Sequence, residues 1–432
     1  MTTGTMVNSY IPGTGDVSPE DAARIARRTR LLGPAYRLFY ETPVHFVRGD
    51  GVWLYDAAGN AYLDCYNNVA SLGHCHRHVV AATARQSALY ASHTRYLHDT
   101  VLDYAERLLA TFPAELSHVM FTCTGSEAND LALRIAFAHT GGTGVIVTEN
   151  AYHGVTLATA SLSPSLGAGV PLGPHIRTIP APDPAHLKGG LGQAFAAEVQ
   201  KAINDLTRHG IKPAALLVDT IFSSDGVFAD PAGFLAPAAA TIRAAGGLFI
   251  ADEVQPGFGR TGAAMWGFQR HGLVPDMVSM GKPMGNGYPV AGLVLQPRVI
   301  AAFGAKARYF NTFGGNAVAA ATAMAVLDVI ETEGLQANAA AVGAYFRDGL
   351  NALGHPSLGN LRAAGLFLGQ DIVTDGQPDP AKAAKIVNDL RNNRILISAT
   401  GPNGHVLKIR PPLVFTQANV DQFLKGLAEA LT

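Results

Sequence analysis

At 432 residues the chain is long enough for two or three domains around a large core. Lysine plus arginine number 32 against 33 for aspartate plus glutamate, a balance without the basic footprint that nucleic acid or an anionic membrane surface calls for. With 15% charged and 48% apolar residues, the composition points to a globular enzyme with much buried surface, a subunit interface included.

Residues 1–17 carry neither a basic head nor an apolar core, which predicts a poorly ordered tail and no secretory signal. Ser18-Pro19-Glu20-Asp21 then opens a helix: Ser18 caps, Pro19 fits the first turn, and the acids complement the dipole. It should end near Gly33-Pro34. Val44–Val47 and Val52–Tyr55 read as strands around the hairpin signal Arg48-Gly49-Asp50-Gly51, and Ala61–Asp64 as a third. The irregular loop NNVASLGHCH follows and leads into a helix starting at Val79. His74, Cys75, His76 and His78 are spaced too tightly for a tetrahedral zinc site, so no metal is expected. Three cysteines, Cys65, Cys75 and Cys123, make no disulfide framework and predict reduced thiols in the cytoplasm.

Val119–Thr122 is a strand, and Thr124-Gly125-Ser126-Glu127-Ala128-Asn129-Asp130 opens the next helix. Gly125 and Ser126 set unpaired amides and a hydroxyl at a helix N-terminus, where an anion is favoured; Thr124 or Ser126 as a plain cap predicts the same local sequence. Gly144–Val147 is a strand ending on Asn150-Ala151-Tyr152-His153-Gly154. Residues 161–195 read as a long irregular connection, Phe195–Thr207 as a helix, and Ala214–Val218 as a buried strand ending on Asp219.

The stretch from Leu248 to Pro289 organises the rest. LFIADE is a buried parallel strand that delivers Asp252 at its carboxyl edge, and about thirty residues later MVSMG ends on Lys282 among glycines. Ligands of open α/β sheets collect at that edge. An amine and an acid converging there suit pyridoxal phosphate: the amine forms the Schiff base and the carboxylate keeps the pyridine nitrogen protonated. Such a lysine needs a lowered pKa, which burial and nearby positive charge supply. Gly257-Phe258-Gly259-Arg260-Thr261-Gly262 fits the dinucleotide pattern, yet Asp252 to Pro256 separate it from the apolar strand and no good helix start follows it. Further on, Val290–Gln296 is a strand and Ala317–Ile330 an Ala-rich helix too short to span a bilayer. A long helix to about Leu353, the run Leu366–Gly369, a helix Pro380–Asn392 and strands Ile395–Ile397 and Val406–Ile409 complete an α+β unit. Arg410 closes the last strand, where it can take a carboxylate bidentately or make a strand-end salt bridge.

Asp252-Glu253-Val254-Gln255, Gly257, Gly259, Arg260, Gly262, Pro275-Asp276, Gly281-Lys282 and Gly285-Asn286-Gly287 together resemble the class III aminotransferase family. The resemblance covers nearly the whole chain and implies an α/β fold of PLP fold type I, aspartate-aminotransferase-like. It implies a large domain with a mostly parallel sheet at 71–325 and a small α+β domain built from 1–70 and 326–432. By the same resemblance Lys282 and Asp252 are catalytic. Gly125, Ser126, Tyr152, His153, Asp252, Val254, Gln255, Lys282 and Thr312 bind pyridoxal 5'-phosphate, with Tyr152 stacked on the ring and Gln255 on the phenolic oxygen. Thr312 reaches a neighbour's phosphate, which implies a homodimer with shared sites. Asn67, Asn68 and Val69 line the substrate pocket, and Arg410 takes a substrate carboxylate. The implied reaction is amino transfer between a small-molecule amine donor and a carbonyl acceptor. NNVASLGHCHRHVV and SHTRYLHDT also resemble the branch holding ethanolamine-phosphate phospho-lyases, and racemases share the scaffold. Ser224 stands where ornithine and 4-aminobutyrate types carry the acid that pairs with the pocket arginine, which departs from those substrates.

Overall fold

The computed structural model describes Met6 and residues 8–432. Helix α1 (Pro19–Leu32) starts as its sequence demands, with the Ser18 side chain accepting from Asp21 N and Gly33 ending it. Strands β1 (Phe46–Asp50), β2 (Trp53–Asp56) and β3 (Ala61–Asp64) form an antiparallel meander. The first of these runs through Arg48 to Asp50, so the turn sits at Gly51, later than the sequence signal places it. Then come α2 (Arg77–Leu89), α3 (Asp99–Leu109), β4 (His118–Thr122), α4 (Gly125–Thr140), β5 (Gly144–Thr148), the short α5 (Leu157–Ala160) and β6 (Ile176–Ile179). They are followed by α6 (Leu191–Arg208), β7 (Pro213–Asp219), α7 (Leu235–Ala244), β8 (Leu248–Asp252), β9 (Met277–Met280), β10 (Ala291–Leu295), α8 (Pro297–Lys306), α9 (Ala317–Thr332) and α10 (Leu335–Ala352). The last part holds β11 (Leu358–Ala364), β12 (Phe367–Thr374), β13 (Gln377–Pro378), α11 (Pro380–Asn392), β14 (Ile395–Leu396), β15 (Ser398–Thr400), β16 (Val406–Ile409) and α12 (Gln417–Leu431).

The central sheet has seven strands in the order β4-β10-β9-β8-β7-β5-β6, all parallel except β10. Its strands are covered on both faces, which is why they are apolar throughout. Ile146, Leu216, Val218, Phe249 and Ala251 join the core that includes Phe195 of α6 and Ile242 of α7. The alternate residues Val145, Val147, Ala215, Leu217 and Ile250 join Leu131 and Ile135 of α4 and Val299 of α8. A second sheet runs β11-β12-β16-β15, and a third β1-β2-β3-β14, in which β14 pairs parallel with β3 and so ties the two ends of the chain together. Among the described residues no helix is long and apolar enough to cross a membrane.

Two expectations need correction. Of the segment read as a tail, residues 1–5 and 7 lie outside the described residues, but residues 8–17 are held: Tyr40 N donates to Asn8 O, Tyr10 N to Leu38 O, and Ser398 Oγ to the buried Asn8 side chain. The connection at 161–195 contains β6 and the start of α6. The strand was hidden because IRTI alternates, with Arg177 turned out to Asp205. The long helix expected to end near Leu353 is α10, set apart from α9 by Gly334 in the left-handed conformation. Since α9 runs unbroken through residue 325, we propose that the break between large and small domains comes at Gly334.

Candidate active site

Parallel strands release their carboxyl ends along one edge, and the register aligns Asp219 of β7, Asp252 of β8 and Ser279 of β9 side by side. The loops that follow β4, β5, β7, β8 and β9 build a cleft lined by Gly125, Ser126, Asn129, Tyr152, His153, Asp219, Asp252, Gln255 and Lys282, among others.

Asp252 is only 4% exposed and is fixed from three sides. Val254 N donates to Oδ1 at 3.1 Å, while Asn129 Nδ2 at 2.9 Å and His153 Nδ1 at 2.7 Å meet Oδ2. Asn129 also donates to His153 O at 2.9 Å, and His153 N donates to Ser163 Oγ at 2.9 Å, so the imidazole cannot drift. The buried His153 Nε2 has no partner among the described residues. Asn129 is a residue that sequence reasoning passed over. It lies one helical turn beyond Gly125 on α4, and that spacing is the signal that could have found it.

The start of α4 resolves its two alternative readings. Thr124 is the cap: its Oγ1 accepts from Glu127 N at 3.1 Å, while Glu127 Oε2 accepts from Thr124 N at 3.0 Å and from Cys123 N at 2.7 Å. The first-turn amides of Gly125 and Ser126 have no intrahelical acceptor and point the dipole's positive end into the cleft. The backbone closes in around them. A Cβ on Gly125 would come within 2.8 Å of Val254 Cγ2, and one on Gly154, whose φ is +136°, within 2.8 Å of Ser126 Cα. Val155 N donates to Ser126 Oγ at 3.2 Å. Tyr152 is 38% exposed, and partial burial followed by the nearby Asp252 raises its phenol.

Lys282 sits on a 3-10 turn, Lys282–Gly285, just past β9. Its amine is lowered from 10.5 to about 8 by burial first and the Arg410 charge second, with Asp252 and Asp219 pulling the other way. Asn286 ends that turn and braces the loop before α2, accepting from Leu72 N and donating to Gly73 O, each at 2.9 Å.

Arg410 is 7% exposed and makes no ion pair among the described residues, so the strand-end salt bridge does not form there. Its Nε donates to Tyr66 O at 2.8 Å, its Nη1 to Gln255 Oε1 at 2.6 Å, and the guanidinium lies 4.3 Å from the centre of the Tyr66 ring. Asn68 Nδ2 donates to the same Gln255 oxygen at 2.7 Å, which leaves the Gln255 amide protons uncommitted. Asn67 donates from both its side chain and its backbone N–H to buried Asp64 at 2.9 Å, which shapes the loop. His74 Nε2 bonds the same carboxylate at 2.7 Å, whereas His76 faces Glu333 and His78 faces Asp328. Val69 is exposed, and so is Thr312, which does not line this chain's own cleft.

A buried acid at one strand end, a depressed lysine at the next and an anion cradle opposite are what pyridoxal phosphate requires, and the donors present fit it. Residues 39–431 match the family described as Aminotransferase class-III. The chain belongs to that family. It is accordingly a pyridoxal-phosphate enzyme of fold type I. It is 39% identical to "Alanine--glyoxylate aminotransferase 2-like" of Drosophila melanogaster, over 94% of this chain and 86% of that one. To "Ethanolamine-phosphate phospho-lyase homolog 1" of Caenorhabditis elegans it is 36% identical, covering 94% and 93%. The structure of a phospholyase from Arthrobacter in complex with phosphoethanolamine superposes with a TM-score of 0.91 at 42% identity, covering 94% of this chain and 99% of that one.

Proposed function

We propose that the chain is a phospho-lyase of phosphorylated amino alcohols. The observation that carries this reading is the unmasked state of Arg410. A transaminase that alternates between a substrate carrying an anion near the reacting carbon and one without it needs an acid to neutralise the arginine in half of its cycle. At the position of that acid stands Ser224, whose backbone carbonyl accepts from Asn150 Nδ2 and Thr400 Oγ1. Arg410 is held instead by neutral oxygens, and its charge stays available throughout. Elimination takes one substrate and has no use for a mask. The likeness to the Arthrobacter and C. elegans proteins supports the same assignment.

When bound, pyridoxal phosphate acidifies the hydrogen on the carbon that bears the substrate nitrogen. Gly125, Ser126 and, from a second copy, Thr312 would hold its phosphate; Tyr152 and Val254 would flank the ring; Gln255 would donate to the phenolic oxygen. Asp252, oriented by Asn129, His153 and Val254 N, would keep the ring nitrogen charged. Lys282 Nζ would take up the acidified proton. The carbon–oxygen bond on the neighbouring carbon then breaks, and its electron pair leaves with phosphate. Addition of water releases an aldehyde and ammonia, so that one phosphorylated amine and one water give aldehyde, ammonia and phosphate. Asn68 and Arg410 position the substrate. The active form is a homodimer, and the free thiols of Cys65, Cys75 and Cys123 suit a cytoplasmic setting, which subcellular fractionation reads directly.

Transamination is the second reading, favoured by the Drosophila relative. Ethanolamine phosphate given to the holoenzyme without any carbonyl acceptor separates the two. Repeated turnover to phosphate and ammonia with the cofactor spectrum restored is the expected outcome. A single conversion of the cofactor to its amine form, with no phosphate released, overturns the lyase reading.

A further inference from the structure

Along β16 side chains alternate, so Lys408 leaves on the face opposite Leu407 and Ile409, which join the core, and Arg410 follows directly on the end of the strand. Both are 7% exposed. Lys408 is paired across the sheet with Gly369 on one side and Ser398 on the other. A Cβ on Gly369 would come within 3.0 Å of Gly226 O and of Val227 Cγ2, so these strands lie directly on the loop that leaves β7 at Asp219, a residue that lines the cleft. Thr400 of β15 reaches the Ser223 and Ser224 carbonyls of that loop.

Every acid near Lys408 is committed elsewhere. Asp371 on β12 pairs with Arg362 and His405. Asp225 accepts from Thr148 Oγ1 at 2.9 Å and Asn150 N at 3.2 Å, and Asp219 accepts from Ile221 N at 3.0 Å and Ser223 N at 3.1 Å. Among the described residues Lys408 forms no ion pair; its Nζ lies 5.8 Å from the centre of the Phe367 ring. Burying an ammonium without a partner is costly, and a lysine kept there at that cost needs an anion that arrives from outside. Two cations at one strand end exceed what a single carboxylate neutralises and match a dianion.

We propose that Lys408 and Arg410 together form the subsite for the phosphate of a phosphorylated amine, an inference that rests on the lyase reading above. Arg410 offers the guanidinium edge left over from Tyr66 and Gln255, and Lys408 adds a point charge two residues earlier on the strand. Burial first and Arg410 second push the Lys408 ammonium well below its ordinary value, with Lys282 adding to the effect and Asp219 and Asp225 pulling it back. An arriving dianion reverses that balance, so binding takes up a proton.

The test uses the holoenzyme, whose cofactor already fills the cradle at Gly125 and Ser126. Inorganic phosphate should compete with the amine substrate, and Lys408→Met should weaken it roughly ten- to a hundredfold with the cofactor spectrum unchanged. Lys408→Arg should recover most of the loss. Sulfate, which has no proton of its own to give near neutrality, serves to count protons by calorimetry in buffers of different ionisation enthalpy. Uptake by the wild-type protein is expected, and its disappearance in Lys408→Met. Phosphate bound equally well by Lys408→Met, or sulfate bound by the wild-type protein without proton uptake, overturns the subsite. The two readings fail separately. Phosphate release from ethanolamine phosphate with an unchanged KM in Lys408→Met removes the subsite and leaves the lyase. Lys408-dependent phosphate binding without any release removes the lyase and leaves an anion subsite.

Discussion

Lys282 shows how one residue's surroundings set its chemistry. Burial lowers its amine to about 8, Arg410 adds to the effect, and the carboxylates of Asp252 and Asp219 oppose it. A neutral amine is the nucleophile that captures an aldehyde, so the lowered value makes it available at milder pH. Cofactor recapture by the cofactor-free protein should therefore rise with pH to a plateau, with its midpoint near 8. Arg410→Met should move that midpoint upward, because the second cause of the shift is then gone. A profile still climbing at the ordinary lysine value of 10.5 would show that burial is not the cause. The sign carries over to stability. Between about 8 and 10.5 the unfolded chain holds a proton on this group that the folded chain has lost, so stability rises with pH through that window. Below about 8 the cost of the buried charge is fully present.

Helix α4 works as an element through its first turn, and Gly125 is the position at which that turn touches the rest of the site. A methyl there would meet Val254 Cγ2 at 2.8 Å, and Val254 is a β-branched residue with little freedom to turn away. Its amide also holds Asp252. Gly125→Ala should therefore destabilise the cofactor-free protein by the ~1–3 kcal/mol usual for overpacking, read as a lower melting temperature, and weaken pyridoxal phosphate binding because Val254 must shift away. An unchanged cofactor Kd would mean that the cradle is loose. The strand-to-helix junctions around this turn were legible in the sequence because buried parallel strands are continuous apolar runs that stop on a polar residue, as LFIAD and MVSM do. Helix α3 was not, since DTVLDYAERLL follows an irregular segment and its cap position, His98, makes no side-chain capping bond. The contacts that organise Arg410 were also out of reach. Gln255 lies 155 positions from Arg410 and 187 from Asn68, and no local pattern signals which strand end a glutamine oxygen will meet. Lys408 was visible only as one residue of a strand, because its isolation depends on where Asp219, Asp225 and Asp371 direct their own hydrogen bonds.

At the scale of the whole molecule, several apolar side chains are left bare, Val155 next to Gly154 of the cleft among them. Val155 is 65% exposed, Leu157 92% and Phe313 70%, and Phe313 stands next to exposed Thr312. Bare apolar groups of this size call for cover by another protein surface. A second copy that also supplies Thr312 to the cradle satisfies both needs, and it predicts complementation between two defective chains. Lys282→Ala alone should be inactive, and Thr312→Ala alone should bind the cofactor weakly. In a mixed dimer, the site with intact Lys282 borrows Thr312 from the Lys282→Ala chain and is wild type in every group. The other site lacks both. At limiting cofactor the mixed dimer should therefore regain about half the activity of the unmodified dimer, since one of two equivalent sites is whole. Activity no higher than that of the Thr312→Ala protein would place Thr312 in its own chain's site or in none. A monomeric protein with full activity would remove the shared site altogether.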